Sequence, residues 1–92
     1  MLFVISCIDK ADHFEVRAAN RPAHVDYLRS FLDQIFAAGP TLTDDGEGMN
    51  GSVIIMEFDS AADAQNFADN DPYNKAGLFE SVSIRPWKKV LP

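Results

Sequence analysis

The sequence has little cysteine, little basic charge and no long hydrophobic run. Its single cysteine, Cys7, cannot form an intramolecular disulfide, and no CxxC motif or His/Cys cluster indicates zinc. We therefore expect no metal or other cofactor and a reducing, cytoplasmic location. The apolar N-terminal stretch MLFVISCI is too short for a signal peptide with its cleavage site, and far too short to span a bilayer.

Basic residues are the scarcer charged class. Eight Lys and Arg stand against 14 Asp and Glu, which gives a net charge of -6. Such a surface repels phosphate backbones and anionic lipid headgroups. We expect neither nucleic acid nor a membrane as a partner.

The remaining composition is that of an ordinary folded domain. Of the 92 residues 47% are hydrophobic, with only five prolines and five glycines. A chain of this length forms one small domain, here residues 1–92, which buries roughly 60 to 65% of its unfolded surface. Stability of an isolated monomer is then expected to be marginal.

Hydrophobic periodicity predicts the order β-α-β-β-α-β. Two strands with apolar residues on both faces are expected, and a proline in a first turn, Pro22, predicts the start of the first helix. Gly39-Pro40 is expected to end that helix. The predicted strands are 1–8, 41–43, 52–58 and 80–88, and the predicted helices are 22–38 and 61–70, with a further turn or short helix from Asp71 to Gly77.

The commonest fold with this order is the α+β ferredoxin-like sandwich, with strand order 4-1-3-2 and both helices on one face of the sheet. The two doubly apolar strands are the expected central pair. Because two helices cover only one face, the other would expose a large apolar patch. We therefore predict a homodimer packed through that face.

Two residues far apart in the chain are candidates for acid/base chemistry. His24 is spaced like the buried stripe of the first helix, and Asp71 follows the second helix. In the predicted topology the start of one helix and the end of the other share a rim. Burial and the helix start would favour a neutral imidazole, and the carboxylate would fix its tautomer, as a general base requires.

Each candidate also has a structural reading. His24 could be a histidine at the edge of the core, and Asp71 an N-cap before Pro72. Arg21 and Tyr73, the candidate substrate-binding residues, could be a surface cation and a packed aromatic. The expected meeting of His24 and Asp71 at one rim favours a functional role for the pair.

Several segments resemble the YciI-like (YCII-related) family over the whole chain. They are MLFVISCIDKAD, RPAHVDYL, AAGP, GSVIIMEFDS, ADNDPYNKAGLF and VSIRPWKKV. The resemblance implies a ferredoxin-like fold related to the dimeric α/β barrels, and a homodimer. It also implies enzymatic activity through a histidine and an aspartate, which fall on His24 and Asp71. Family members are similar to a dehydrochlorinase of chlorinated hydroxyhydroquinone breakdown.

Three functional hypotheses follow. The first is a small cofactor-independent enzyme, a lyase, isomerase or dehydrochlorinase acting on a small polar or aromatic molecule, with His24 as the general base and Asp71 as its orienting partner. Arg21 would hold an anion. The second is a non-catalytic domain that binds a small molecule or a partner segment in the same pocket. The third is a stand-alone monooxygenase of the related dimeric barrels.

Overall fold

The computed structural model describes residues 1–92, and it has the α+β architecture predicted from the sequence. Four strands form one antiparallel sheet, and three helices are present. The elements are β1 (Leu2–Asp9), α1 (Phe14–Arg29), a 3-10 turn (Leu32–Gln34), β2 (Ile35–Leu42), β3 (Met49–Glu57), α2 (Ala61–Asp69), α3 (Pro72–Lys75) and β4 (Phe79–Trp87).

The strands lie in the order β2-β3-β1-β4, which is the predicted order 4-1-3-2. The two strands with apolar residues on both faces, β1 and β3, occupy the centre, and Ile5 pairs with Ile54 across them. Pro86 lies in β4 at one edge and Pro40 in β2 at the other. Edge strands tolerate proline because one side of the strand has no partner that needs the missing N–H.

The core fills the space between the sheet and the helices. Alternate residues of β1 and β3 point into it, as the pleat of a strand requires. Helix α2 adds small and aromatic side chains to the same core, and it begins at Ser60, whose hydroxyl accepts from the Asp63 N–H. The buried core residues are Phe3, Ile5, Cys7, Ile54, Met56, Phe58, Ala64, Phe67 and Ala68.

The predicted bounds of the first helix were wrong at both ends. The helix begins at Phe14, so it includes residues predicted as a loop, and Pro22 lies inside it. A proline inside a helix removes one hydrogen bond and costs about 3 kcal/mol, which is why it was taken for a helix start. Helix α1 packs against α3, and this packing opposes the free-energy cost of the proline.

The same helix ends at Arg29, nine residues before its predicted end at Ala38. The apolar residues that predict a longer helix do recur at helical spacing, but they do not lie on one continuous helix. Leu28, Phe31 and Ile35 all pack against the core, although they belong to a helix, a turn and a strand. Strand β2 is therefore longer than predicted and contains Gly39-Pro40, which was expected to end the helix.

The helix-free face of the sheet carries many apolar side chains. Four of them, Leu2, Val4, Val53 and Ile55, are only partly buried within one chain, and Ile8 is 55% exposed. No helix here has both the length and the apolar character needed to cross a bilayer.

Candidate active site

Asp71 is placed by a tight turn after α2. Its backbone is extended, as expected of a residue before proline, and Pro72 opens α3. The Asp71 Oδ1 atom accepts a hydrogen bond from the backbone N–H of Tyr73 at 2.9 Å, so the carboxylate caps this short helix. The structural reading of Asp71 is therefore correct.

The same oxygen also contacts His24. Nδ1 of the imidazole lies 2.8 Å from Asp71 Oδ1, and both residues are buried. The sequence placed His24 in the first turn of its helix, but it lies in the interior of α1, ten residues after Phe14. The positive end of the helix therefore does not act on it, and the carboxylate is the group that orients the ring.

The two nitrogens of His24 have different surroundings. A carboxylate only accepts hydrogen bonds, so Nδ1 is the nitrogen that carries the proton. Nε2 has no hydrogen-bond partner in the chain and is not sealed from solvent. A neutral imidazole held in this way presents the Nε2 lone pair, which is the atom that a general base uses.

Tyr73 supports the imidazole from α3. The rings of His24 and Tyr73 are stacked with their centroids 3.9 Å apart and their planes 16° apart. The guanidinium of Arg17, two turns before His24 on α1, lies 4.6 Å from the centroid of the Tyr73 ring, a cation–π distance. Burial raises the pKa of the Tyr73 phenol, while Arg17 and Arg21 oppose this shift.

Arg17 is engaged by other groups through its Nε and Nη2 atoms. It binds both carboxylate oxygens of Asp9, at 2.7 and 3.0 Å, and donates to the Gly51 carbonyl at 3.0 Å. Burial by itself lowers the pKa of Arg17, but the hydrogen bond to Asp9, the Asp9 charge and Tyr73 together raise it overall. This pair is a scaffold beneath Tyr73.

Two small polar residues face each other under the site. Cys7 on β1 and Ser52 on β3 are cross-strand partners, and both are buried. Burial raises the pKa of the Cys7 thiol to about 11, although the Ser52 hydroxyl lowers it and the Asp71 and Asp9 carboxylates add to the rise. The thiol is therefore protonated at neutral pH, and it is no nucleophile.

A cavity of about 170 Å³ lies between α1 and the strands β2 and β3. An enclosed space of roughly 150 Å³ holds one benzene ring, so the cavity fits a single-ring molecule. Its walls combine polar and apolar groups, as in small-molecule sites. The lining residues are Arg17, Arg21, His24, Val25, Leu28, Ala38, Gly39, Pro40, Met49, Ser52, Ile54 and Tyr73.

A second, more open groove of about 380 Å³ lies beside Tyr27, Phe31 and Phe67. It contains carboxylates such as Glu57 and Asp63 but no His–carboxylate pair. No group of three or more His, Cys, Asp and Glu side chains is placed to hold a metal ion. The smaller cavity is therefore the better candidate for chemistry.

All four residues singled out in the sequence meet at this cavity or directly behind it. His24, Arg21 and Tyr73 line it, and Asp71 lies behind His24. Arg21 is exposed and forms no ion pair, unlike Arg17.

Three further residues were missed. Asp9 and Arg17 fall in a predicted connection, which hides both the end of β1 at Asp9 and the position of Arg17 two helical turns before His24. Ser52 had a visible signal, because it is the only polar residue among the core-facing residues Ser52, Ile54, Met56 and Phe58.

The YCII-related domain matches residues 1–88. The chain belongs to the YCII-related family. Two relatives called Protein YciI, from Escherichia coli O6:H1 and Shigella flexneri, are each 44% identical over 98 residues, covering 99% of this chain and all of the relative. A Haemophilus influenzae protein is 33% identical with the same coverage.

A solved structure from the bacterium Burkholderia phenoliruptrix AC1100 is also similar to this YCII-related chain. It is 5-chloro-2-hydroxyhydroquinone dehydrochlorinase in complex with 2,5-dihydroxybenzoquinone, at 39% identity and a TM-score of 0.89, covering 96% of this chain and 94% of that one. An antibiotic biosynthesis monooxygenase is 14% identical with a TM-score of 0.58, covering 99% of this chain and 100% of that one, which shows the fold alone. These neighbours confirm the predicted fold class, of the dimeric α/β barrel type.

Proposed function

We propose that this protein is a small cofactor-independent lyase that eliminates hydrogen halide from an oxygen-substituted aromatic ring. One observation carries the proposal: His24 is held by Asp71 through Nδ1, while its unpartnered Nε2 belongs to a residue that lines a one-ring cavity. Similarity at 39% identity to a dehydrochlorinase of chlorinated hydroxyhydroquinone supports the reaction class.

In the proposed reaction His24 moves a proton twice. Nε2 first accepts the proton of a ring hydroxyl and returns it to the carbon that bears chlorine, which gives the keto tautomer. Loss of a second hydroxyl proton to Nε2 then drives chloride out and leaves a hydroxyquinone. The ring loses one H⁺ and one Cl⁻, so no oxidant is needed. Asp71 keeps Nδ1 protonated throughout.

The substrate-binding roles belong to Arg21 and Tyr73. Arg21 has no carboxylate partner in the chain and lines the cavity, so its guanidinium is available for a phenolate oxygen. The Tyr73 ring stacks on His24 and lies under the Arg17 guanidinium. It would contact the substrate where it lines the cavity.

We also propose a homodimer through the helix-free face. The partly exposed side chains of Leu2, Val4, Val53 and Ile55 form the centre of that face, and a second copy would remove them from water. Sedimentation should give a dimer at micromolar concentration, and Val4→Glu should shift it to a monomer. A wild-type monomer at that concentration would contradict the dimer.

The test of activity is halide release. Purified protein is incubated anaerobically with 5-chloro-2-hydroxyhydroquinone, and chloride and quinone absorbance are followed. We expect turnover by the wild type and a fall in kcat of about 10²- to 10⁴-fold for His24→Ala, with ligand affinity kept within about tenfold.

His13→Ala is the matched control. His13 is the only other histidine and bonds the Ala11 carbonyl outside the cavity, so its loss should leave turnover unchanged. Full turnover by His24→Ala would refute the assignment. Ligand binding without any turnover by the wild type would favour the non-catalytic binding domain.

A further inference from the structure

The hydroxyl oxygen of Ser52 is the one buried polar side-chain atom that lacks a hydrogen-bond partner in this chain. Ser52 is 4% exposed, its hydroxyl oxygen is fully buried, and no group in the chain meets hydrogen-bond geometry with it; the Cys7 thiol is near enough to interact but is a weak partner. Buried hydroxyls are normally paired, because an unpaired one costs roughly 1 to 3 kcal/mol. An exception of this kind requires an explanation.

The neighbours of Ser52 in the sheet do not supply that partner. Cys7 on β1 offers a protonated thiol, which is only a weak donor and acceptor, and Pro40 on β2 is apolar at its side chain. Ser52 lines the cavity on the side of the sheet, opposite the α1 residues Arg21 and His24. The hydroxyl therefore has hydrogen-bonding capacity left, and the cavity is where a stronger partner can enter.

Three polar groups on the two walls of the cavity have no hydrogen-bond partner in the chain. They are the Arg21 guanidinium, His24 Nε2 and the Ser52 hydroxyl; the Tyr73 phenol is a fourth, from α3, while Arg17 is engaged by Asp9 and Gly51 through Nε and Nη2. The first two come from the helix and the third comes from the sheet. A flat ring between them would need oxygen substituents directed to both walls.

We infer that Ser52 is a substrate-positioning residue whose hydroxyl binds a ring oxygen of the ligand from the side of the sheet. The inference rests on the proposed function and narrows its substrate class. The ligand is a single ring with at least three oxygen-related contacts: an anionic oxygen at Arg21, a transferable proton at His24, and a further oxygen at Ser52. A ring with one hydroxyl would leave Ser52 unpaired.

The test compares Ser52→Ala with wild type in ligand affinity and in stability without ligand. The probe is 2,5-dihydroxybenzoquinone, measured by calorimetric titration, and the melting temperature is measured with no ligand present. We expect Ser52→Ala to bind the probe about 3- to 30-fold more weakly, and to melt at or above the temperature of the wild type, because the variant removes an unpaired buried hydroxyl.

The matched control is Ser30→Ala, which deletes an exposed hydroxyl just after α1, away from both the cavity and the sheet. It should change neither value. Unchanged probe affinity in Ser52→Ala would overturn the inference, because the hydroxyl would then make no contact with the ligand. A lower melting temperature of Ser52→Ala would also overturn it, since the hydroxyl would then serve the fold through Cys7. Failure of the wild type to bind the probe would refute the ligand class.

Affinity and turnover are measured separately, so the two proposals can fail separately. If the probe binds more weakly to Ser52→Ala but the wild type releases no chloride, the proposed lyase activity is refuted and the role of Ser52 as a ligand contact is supported. If both proteins release chloride with equal KM and equal probe affinity, the proposed lyase activity is supported and the proposed role of Ser52 is refuted.

Discussion

Asp9 and Asp71 are two buried carboxylates that each hold a side chain of α1, and they do so in opposite ways. Asp9 uses both oxygens on Arg17, whose third hydrogen bond goes to the Gly51 carbonyl. Asp71 uses one oxygen for both His24 and the α3 cap, and it leaves His24 Nε2 without a partner. A saturated pair stabilises structure, whereas an open one can exchange a proton with a ligand.

The largest effect is expected from breaking the saturated pair. Asp9→Ala leaves the buried Arg17 cation without its carboxylate, which should lower the free energy of unfolding by about 3 to 5 kcal/mol in urea titrations at pH 7. Asp44→Ala, an exposed acid in the hairpin loop, should stay within about 0.5 kcal/mol of the wild type. Equal losses for both variants would remove the distinction between the two carboxylates.

Asp71→Asn tests the open pair. Asparagine is also a good N-cap, so the free energy of unfolding should change by about 1 kcal/mol or less. The neutral amide no longer fixes the tautomer of His24, so kcat for chloride release should fall about 10²-fold. If stability falls and kcat does not, Asp71 is only a cap.

Gly51→Ala should disturb the hydrogen bond between Arg17 and the Gly51 carbonyl by moving the backbone. A Cβ at residue 51 would lie 2.3 Å from the Cys7 carbonyl oxygen and 2.6 Å from Thr41 Oγ1. Strand β3 must then shift, which moves the carbonyl that Arg17 binds. We expect a loss of about 1 to 3 kcal/mol in chemical denaturation. Gly39→Ala, where a Cβ has open space, is the control in the neighbouring strand.

Cys7 gives a smaller effect that depends on pH. Its pKa in the folded protein is about 11, above the ordinary value of 9.0, so the fold favours the protonated thiol. That contribution is complete below pH 9 and is lost as pH rises towards 11, because the unfolded chain releases the proton first. Between pH 8 and pH 10 the wild type should lose about 1 kcal/mol more than Cys7→Ala. Parallel stability curves for the two proteins would contradict a buried, neutral thiol.

The smallest effect is expected for Tyr73→Phe. The stacked ring that supports His24 is retained, and only the hydroxyl is lost. We expect KM to rise by about threefold or less and kcat to stay unchanged. A large fall in kcat would give the phenol a role in proton transfer that the present proposal assigns to His24 alone.

The sequence was most informative where a pattern reflects burial. The doubly apolar runs of β1 and β3 identified the central strands, and Pro86 identified an edge, because these features depend on the position of a strand in the sheet. The bounds of α1 could not be read in the same way. Leu28, Phe31 and Ile35 are partly buried and all pack against the core, but such contacts at helical spacing do not prove a continuous helix.

The site was predicted in part for a related reason. His24 and Asp71 stood out as polar residues in buried or capping positions, which the local sequence shows. Arg17 and Asp9 could not be paired without the true start of α1, since their contact depends on two helical turns that were assigned to a loop. The role of Ser52 required the structure, because only coordinates show that a buried hydroxyl lacks a partner.

The shared Oδ1 atom of Asp71 links the readiness of the imidazole to the integrity of a four-residue helix. Whenever α3 unwinds, the Tyr73 amide loses its acceptor and His24 loses the turn that supplies its carboxylate. Hydrogen exchange at the Tyr73 amide would therefore report how often His24, the proposed base, loses its carboxylate partner. Under the proposed function, a substitution in α3 would change the activity without replacing any group that is proposed to contact the substrate.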